Sequence, residues 1–392
     1  KLPFHMPIRV GLLSAQGEPV EIDGEPQQTL ELREATQSFD LGPAPDGAVL
    51  SALRQFSAPV KLDMTRSEDE LAFLFANDTD PFNRWDAGQT LLMKAIIDNV
   101  ERIRAGESLT VNPLIIDAVR RILTGDNLDH EFVAQCLTLP SQSYVADQLE
   151  PIDIQAVHQS CTWLRSHLAN RLSNELTETF ELTRSTGPYV YNAENAGRRT
   201  LNNTLLSLIA SVNTPETRQL CLAHFNAADN MTNSIAALGA LSHMPSAERD
   251  QALQVFEARW TNDSLVMDKW FSVQAISQAD DTLTRVRALM DHPLFDLKKP
   301  NKVRALIGAF AHGNPPQFHQ ATGNGYRFLS DRVIALDALN PQIAARLVGA
   351  FARWKRLTPA LSDKMQAALK TIADTPQLSR DCQEIVSKTL AA

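Results

Sequence analysis

The sequence predicts a mainly α protein: an irregular α-solenoid, an armadillo- or HEAT-like superhelix, preceded by a small partial β-sandwich. Three observations carry this. The first 64 residues alternate apolar and polar side chains in short runs separated by Gly, Pro and Asp turns. From Thr65 onward apolar residues recur at helical spacing, in segments that mostly open on Asp, Asn or Pro. No period of 33 or 34 residues is present, which disfavours regular tetratricopeptide or ankyrin arrays and leaves an irregular helical superhelix. The expected domains are residues 1–64 for the β-sandwich, with its first strands missing, and 65–392 for the helical domain.

In chain order, Ile8, Val10 and Leu12 alternate with Arg9 and Gly11, a half-buried strand. Pro19–Ile22, Leu30–Leu32, Phe39–Leu41, Val49–Leu53 and Phe56–Leu62 are the further strand candidates, punctuated by Asp23-Gly24 and the Gly42–Gly47 loop. Asp80-Pro81 opens a helix that runs to Gly106, and Asn112-Pro113 opens one that Gly125 ends. A long helix is expected from Pro151 to Thr183. Shorter ones start near Ala193, Pro215, Asp229, Pro245, Asp263 and Asp280. The last five cover Asn301–His312, Tyr326–Leu339, Pro341–Trp354, Pro359–Ala373 and Pro376–Leu390.

Composition excludes several function classes. The chain has 392 residues and a net charge of −9, which argues against a general nucleic-acid binder. No run of 18 apolar residues occurs, so no membrane partner is expected. The opening Lys1–Ile8 lacks an apolar h-region, reads as no signal peptide, and looks like a cut into a longer chain. Cys136, Cys161, Cys221 and Cys382 are scattered among apolar residues with no C-x-x-C, as free thiols in a reducing compartment would be. A cytoplasmic location is expected.

Catalytic signatures are not found. His130-Glu131 begins an H-E-x-x-H zinc helix, but position 134 is Ala, and no other His pair stands at i, i+4. There is no G-x-S-x-G, and Gly323-Asn-Gly-Tyr326 lacks the Lys-Ser/Thr of a P-loop. What remains is one pattern on two helices. In Asn301–His312, Asn301 is a candidate cap, Val303, Leu306, Ile307 and Phe310 form a core stripe, and Arg304, Gly308 and Ala311 lie beside it. In the helix after Asn340-Pro341, Arg346, Gly349 or Ala350, and Arg353 stand beside Ile343, Leu347, Phe351 and Trp354. A mid-helix Gly costs about 1 kcal/mol against Ala, so Gly308 calls for a close neighbour. Spacing alone favours tight helix packing with solvated arginines. The sharper alternative is a cationic pocket for a carboxylate, which arginine grips through its planar fork.

Several segments then carry a resemblance. Phe56-Ser-Ala-Pro-Val-Lys-Leu62, Arg84-Trp-Asp-Ala87, Asn230-Met-Thr232, Leu265-Val-Met-Asp-Lys-Trp-Phe271, Pro300–Phe310 and Asn314-Pro315 resemble the C-terminal half of bacterial aminopeptidase N, in order and across essentially the whole chain. That family comprises zinc alanyl aminopeptidases of the gluzincin class. The resemblance implies a non-catalytic portion of a peptide-hydrolysing enzyme. It would cap the catalytic zinc domain of the same polypeptide, wall the substrate cavity and limit access to peptides. The G-A-M-E-N motif, the zinc helix and the transition-state Tyr lie outside this sequence, so no residue here is expected to be catalytic or to bind metal. Zinc belongs to the complete enzyme. The family's cavity arginines carry over to Arg304, by its Val-Arg-Ala-Leu-Ile-Gly-Ala-Phe context, and to Arg346, by its place after Asn340-Pro341; Arg353 is added from spacing. The competing reading is a stand-alone helical-repeat scaffold that binds peptides or proteins without chemistry.

Overall fold

The N-terminal alternation becomes a four-stranded antiparallel sheet organised on its first strand. In the computed structural model, which describes residues 3–125, 128–185 and 187–391, β1 (Met6–Leu13) pairs with β2 (Pro19–Val20), β3 (Gln28–Leu32) and β4 (Val49–Ala52). Its register sets Leu12 opposite Val20 and Leu50, and Ile8 opposite Leu30. Strand alternation then puts Val10 and Leu12 on one face, where with Ile22 they are buried against Ile8, Val20, Leu30 and Leu50. Lys1, Leu2 and Ala392 lie outside the described residues.

Two expected strands are not strands. Phe39–Leu41 pairs with nothing as a ladder, yet Leu41 packs on the sheet's apolar cluster. Alternation there reported burial rather than pairing. Phe56–Leu62 runs as a short 3₁₀ turn and bends. Leu53, Gln55 and Phe56 take φ of 63°, 55° and 50°, which turns the chain out of β4, and Pro59 has no N–H to give a ladder.

The helices begin largely where the capping residues place them. α1 (Glu68–Asn77) carries a Ser67/Glu70 capping box. α2 (Pro81–Ala105) starts on Asp80, whose side chain accepts from Asn83 N–H, and stops at the left-handed Gly106. α3 (Pro113–Thr124) starts on Asn112 and is followed by α4 (His130–Leu137) and α5 (Gln142–Asp147). The single long helix expected over Pro151–Thr183 is two, α6 (Ile154–Arg171) and α7 (Ser173–Thr183). They break at Leu172, where φ is −117° and ψ 23°; its side chain is 1% exposed, so burial rather than a Gly or Pro fixes the break.

α8 (Ala193–Ala210), α9 (Pro215–Ala227), α10 (Met231–Ser242), α11 (Ala247–Trp260), α12 (Ser264–Ala275) and α13 (Thr282–Leu289) follow within two residues of their expected starts. The Pro300 helix is α14 (Pro300–Val303), a π-helical turn over Arg304–Gly308, and α15 (Ala309–Gly313). Then come α16 (Pro315–Phe318), α17 (Asn324–Asp337) and α18 (Pro341–Val348). α18 gives way to 3₁₀ turns at Gly349–Phe351 and Trp354–Arg356, so the helix expected to reach Trp354 is shorter. α19 (Pro359–Ala373) matches its expected span, and α20 (Arg380–Ala391) starts four residues beyond Pro376.

The chain divides into two compact units, each with its own core. The first (Lys1–Pro140, His167–Arg184, Tyr191–Leu205) holds the sheet and packs Phe75, Leu91, Ile96, Ile122 and Phe180 inside. The second (Ser141–Ser166, Ser185–Val190, Leu206–Ala392) is richer in aromatics. There Phe310 meets Phe318 and Phe328 edge-on, with centroids 6.0 and 5.7 Å away.

Candidate functional site

The core stripe of the Pro300 helix is as spacing predicts: Val303, Leu306, Ile307 and Phe310 are each 0% exposed. Its N-terminus differs. Pro300 is the first helical residue, Lys299 precedes it without a side-chain cap, and Asn301 does not cap. Its carboxamide oxygen instead accepts from Arg304 Nη2. Arg304 is exposed. Lys302, a cation that spacing did not single out, is 3% exposed and anchors the helix. It pairs with Asp268 at 2.6 Å, donates to the Ser264 carbonyl at 2.9 Å, and lies 5.4 Å from the Phe271 ring centroid. Both partners belong to α12 and its start, where the Leu265–Phe271 segment lies.

Gly308 has no close neighbour. A Cβ there would stand 3.7 Å from the Val303 carbonyl and 3.9 Å from Leu347, ordinary van der Waals distances. The close-packing explanation is therefore corrected, and nothing in the structure requires glycine at this position.

Arg346, in the last turn of α18, is exposed and has no hydrogen-bond or ion-pair partner among the described residues. Arg353 follows the 3₁₀ turn and pairs with Asp147 at 2.9 Å. Arg356 reaches the same carboxylate at 3.4 Å and donates to the carbonyls of Asp147 and Leu149. These pairs tie the segment after α18 to the end of α5, 206 residues away in sequence.

A cavity of about 280 Å³ lies within the second unit. α15 contributes Ala311 and His312, the segment after α18 contributes Gly349, Ala350 and Arg353, and His319 stands behind α16. Of the three arginines singled out, Arg353 lines it; Arg304 and Arg346 lie elsewhere. His319 Nδ1 is 2.8 Å from the Tyr326 hydroxyl. Burial, with Arg353 adding its charge, pushes His319 down to about 4, and burial holds the Tyr326 phenol well above its usual range. Burial also lowers His312. At neutral pH the walls thus offer neutral imidazoles and one guanidinium, that of Arg353, already paired with Asp147.

The His130 segment does not fit a zinc ion. His130 is the first residue of α4, and Ala134, where a second ligand would stand, is 1% exposed in the core. Among the described residues no group of three His, Cys, Asp or Glu is placed to hold a metal. The four cysteines are free and buried; burial lifts Cys161 to about 11 and Cys136, Cys221 and Cys382 to about 12. Such thiols are poor nucleophiles. Among the described residues no helix is long and apolar enough to cross a membrane.

Comparison with known proteins places these features. A family model described as a domain of unknown function (DUF3458_C) with ARM repeats matches residues 68–391, and one described as a domain of unknown function (DUF3458) with an Ig-like fold matches residues 1–65. Aminopeptidase N of Caulobacter vibrioides is 37% identical over 381 residues, 97% of this chain and 43% of that protein. Aminopeptidase N of Escherichia coli is 36% identical over 394 residues, covering 100% of this chain and 45% of its own length. The crystal structure of Legionella pneumophila aminopeptidase A in complex with aspartic acid aligns with a TM-score of 0.85 at 28% identity, over 98% of this chain and 45% of that one. The chain spans under half the length of the relatives it matches.

Proposed function

The chain belongs to the DUF3458 family and is homologous to the C-terminal part of aminopeptidase N, and from that premise we propose that it is the non-catalytic portion of a zinc-dependent aminopeptidase. In this reading the complete enzyme removes N-terminal residues from peptides. The zinc and the reacting groups sit in a catalytic domain of the same polypeptide. The helical region caps that domain, walls the substrate cavity and limits access to peptides. The domain division proposed is 1–64 and 65–392, and the proposed compartment is the cytoplasm.

The observation that carries the reading is the match along the whole chain, at 33–37% identity, to proteins named aminopeptidase N. The side chains support it. Arg346 presents an uncommitted guanidinium to solvent, and Arg353, paired with Asp147, brings a guanidinium to the cavity wall beside neutral His319. Arg304 adds an exposed cation held to its own helix by Asn301. These are groups suited to the carboxylate end of a peptide.

The test is hydrolysis of alanine p-nitroanilide by the purified 392-residue chain with added zinc. No turnover is expected. Turnover that co-purifies with the chain and is abolished by a chelator would overturn the proposal. A start codon directly before Lys1, in place of a continuous frame encoding G-A-M-E-N and H-E-x-x-H, would favour the scaffold reading instead.

A further inference from the structure

Strained backbone is concentrated in one turn. Among the described residues six non-glycine residues stand at positive φ, and three of them, Leu53, Gln55 and Phe56, belong to the turn that follows β4. A leucine or phenylalanine is rarely held there, because its Cβ crowds the backbone, so the surroundings must fix it. The Gln55 N–H donates to Asp80 Oδ2 at 3.0 Å, Arg54 Nη2 donates to Thr79 Oγ1 at 2.6 Å, and the Arg9 N–H on β1 donates to Ser57 Oγ at 2.9 Å. From α2, the Asn83 amide donates to Ser51 Oγ at 2.8 Å and to the Ala52 carbonyl at 2.9 Å. The turn is thus clamped between β1 and the start of α2.

The clamp holds two different side chains. Leu53 is 5% exposed, so burial offsets the strain of its conformation. Phe56 is 49% exposed. Its ring centroid lies 5.2 Å from that of Phe82, and Phe82 lies 6.4 Å from Trp85, which makes a ledge of three rings with the last two half-buried. A strained backbone that leaves an aromatic ring half in water gains this chain little by itself. Aromatic rings held rigidly at a surface are the groups that anchor protein interfaces. Phe56 and Trp85 also belong to two of the segments that carry the family resemblance, Phe56–Leu62 and Arg84–Ala87, and the fold brings both to this ledge.

We propose that the ledge of Phe56, Phe82 and Trp85 is the seat on which the catalytic part of the complete polypeptide docks. The proposal rests on the aminopeptidase reading above and gives the capping a location. Two facts favour this occupant. More than half the length of each aminopeptidase N relative lies outside its match, and in those proteins the remainder precedes the segment that corresponds to β1. Arg9, whose N–H holds Ser57, is three residues from the start of β1, about 10 Å along a strand. Polypeptide that leads into β1 therefore passes close to the ledge, and a partner tethered there docks at high effective concentration. The exposed rings suit apolar side chains on that partner.

The test compares the 392-residue chain with the complete polypeptide by hydroxyl-radical footprinting, read residue by residue with mass spectrometry. Phe56 and Trp85 should react at least about fivefold more slowly in the complete polypeptide, as rings in a water-excluding interface do. Phe75, 0% exposed, should be slow in both. A second readout is Phe56→Asn, since asparagine tolerates the left-handed φ of 50°. It should move the Tm of the 392-residue chain by no more than about 1 °C, and lower that of the complete polypeptide by about 3 °C. Equal reaction rates in the two proteins, slowing that grows with the concentration of the 392-residue chain alone (the mark of a second copy), or an equal loss of Tm in both would each overturn the proposal. Equal rates in a complete polypeptide that hydrolyses alanine p-nitroanilide would remove the ledge and leave the aminopeptidase reading standing. A complete frame that encodes no zinc domain would overturn both.

Discussion

Pro300–Gly313 and the stretch from Pro341 to Arg356 carry the same linear pattern of arginine, small residues and an apolar stripe, and they fold differently. Both bury the stripe: Phe310 and Phe351 are each 0% exposed. The first stays helical throughout but widens into a π turn over Arg304–Gly308. The second tightens into 3₁₀ turns after Val348. The arginines end in different surroundings. Arg304 bonds within its own helix, Arg346 is left to solvent, and Arg353 is drawn to Asp147 beside the cavity. Apolar spacing decides which face goes inside. The partners within reach decide what the polar face does.

The largest expected effect tests what the two regions share. Phe310→Ala and Phe351→Ala should each cost about 3–5 kcal/mol, read as a fall in the urea midpoint, because both remove a fully buried ring. A loss under about 1 kcal/mol at either position would mean that its stripe is not core.

Glycines sharpen the contrast at the next scale. A Cβ on Gly325 would stand 2.3 Å from the Phe318 carbonyl, so Gly325→Ala should cost about 1–3 kcal/mol. Gly308→Ala has room, and should be neutral or stabilising by up to about 1 kcal/mol. Equal destabilisation by both would restore the close-packing account of Gly308.

A smaller effect is the pH response of the cavity. His319 titrates near 4 when folded, below its ordinary 6.5, so the unfolded chain binds more protons between those values. Its contribution to stability is complete above pH of about 6.5 and is lost as pH falls toward about 4. In urea unfolding across that window, His319→Gln should flatten the dependence. An unchanged slope would show that His319 is not held neutral.

Much of the fold was legible because helix starts are chemical. Asp80-Pro81, Asn112-Pro113 and Asn340-Pro341 each pair a side-chain acceptor with a proline that needs no donor, and the structure uses all three. Leu172 was not legible, since a buried leucine leaves no local mark of a break. Nor was Pro376, because proline permits a start without requiring one. The site was legible only in part. Arg304, Arg346 and Arg353 are visible as residue types, but the Arg353–Asp147 pair spans 206 residues, which only three dimensions show.

The central claim is that these helices supply walls and anchors for a peptide whose chemistry happens elsewhere. Its most direct test is the KM of Arg304→Ala and Arg346→Ala in the complete polypeptide, with alanyl tripeptides and with alanine p-nitroanilide. The account predicts a higher KM for the tripeptide, up to about fivefold for a solvent-screened contact worth no more than about 1 kcal/mol. The anilide, which has no downstream carboxylate, should keep its KM and its kcat. Equal changes for both substrates, or a fall in kcat for the anilide, would contradict it.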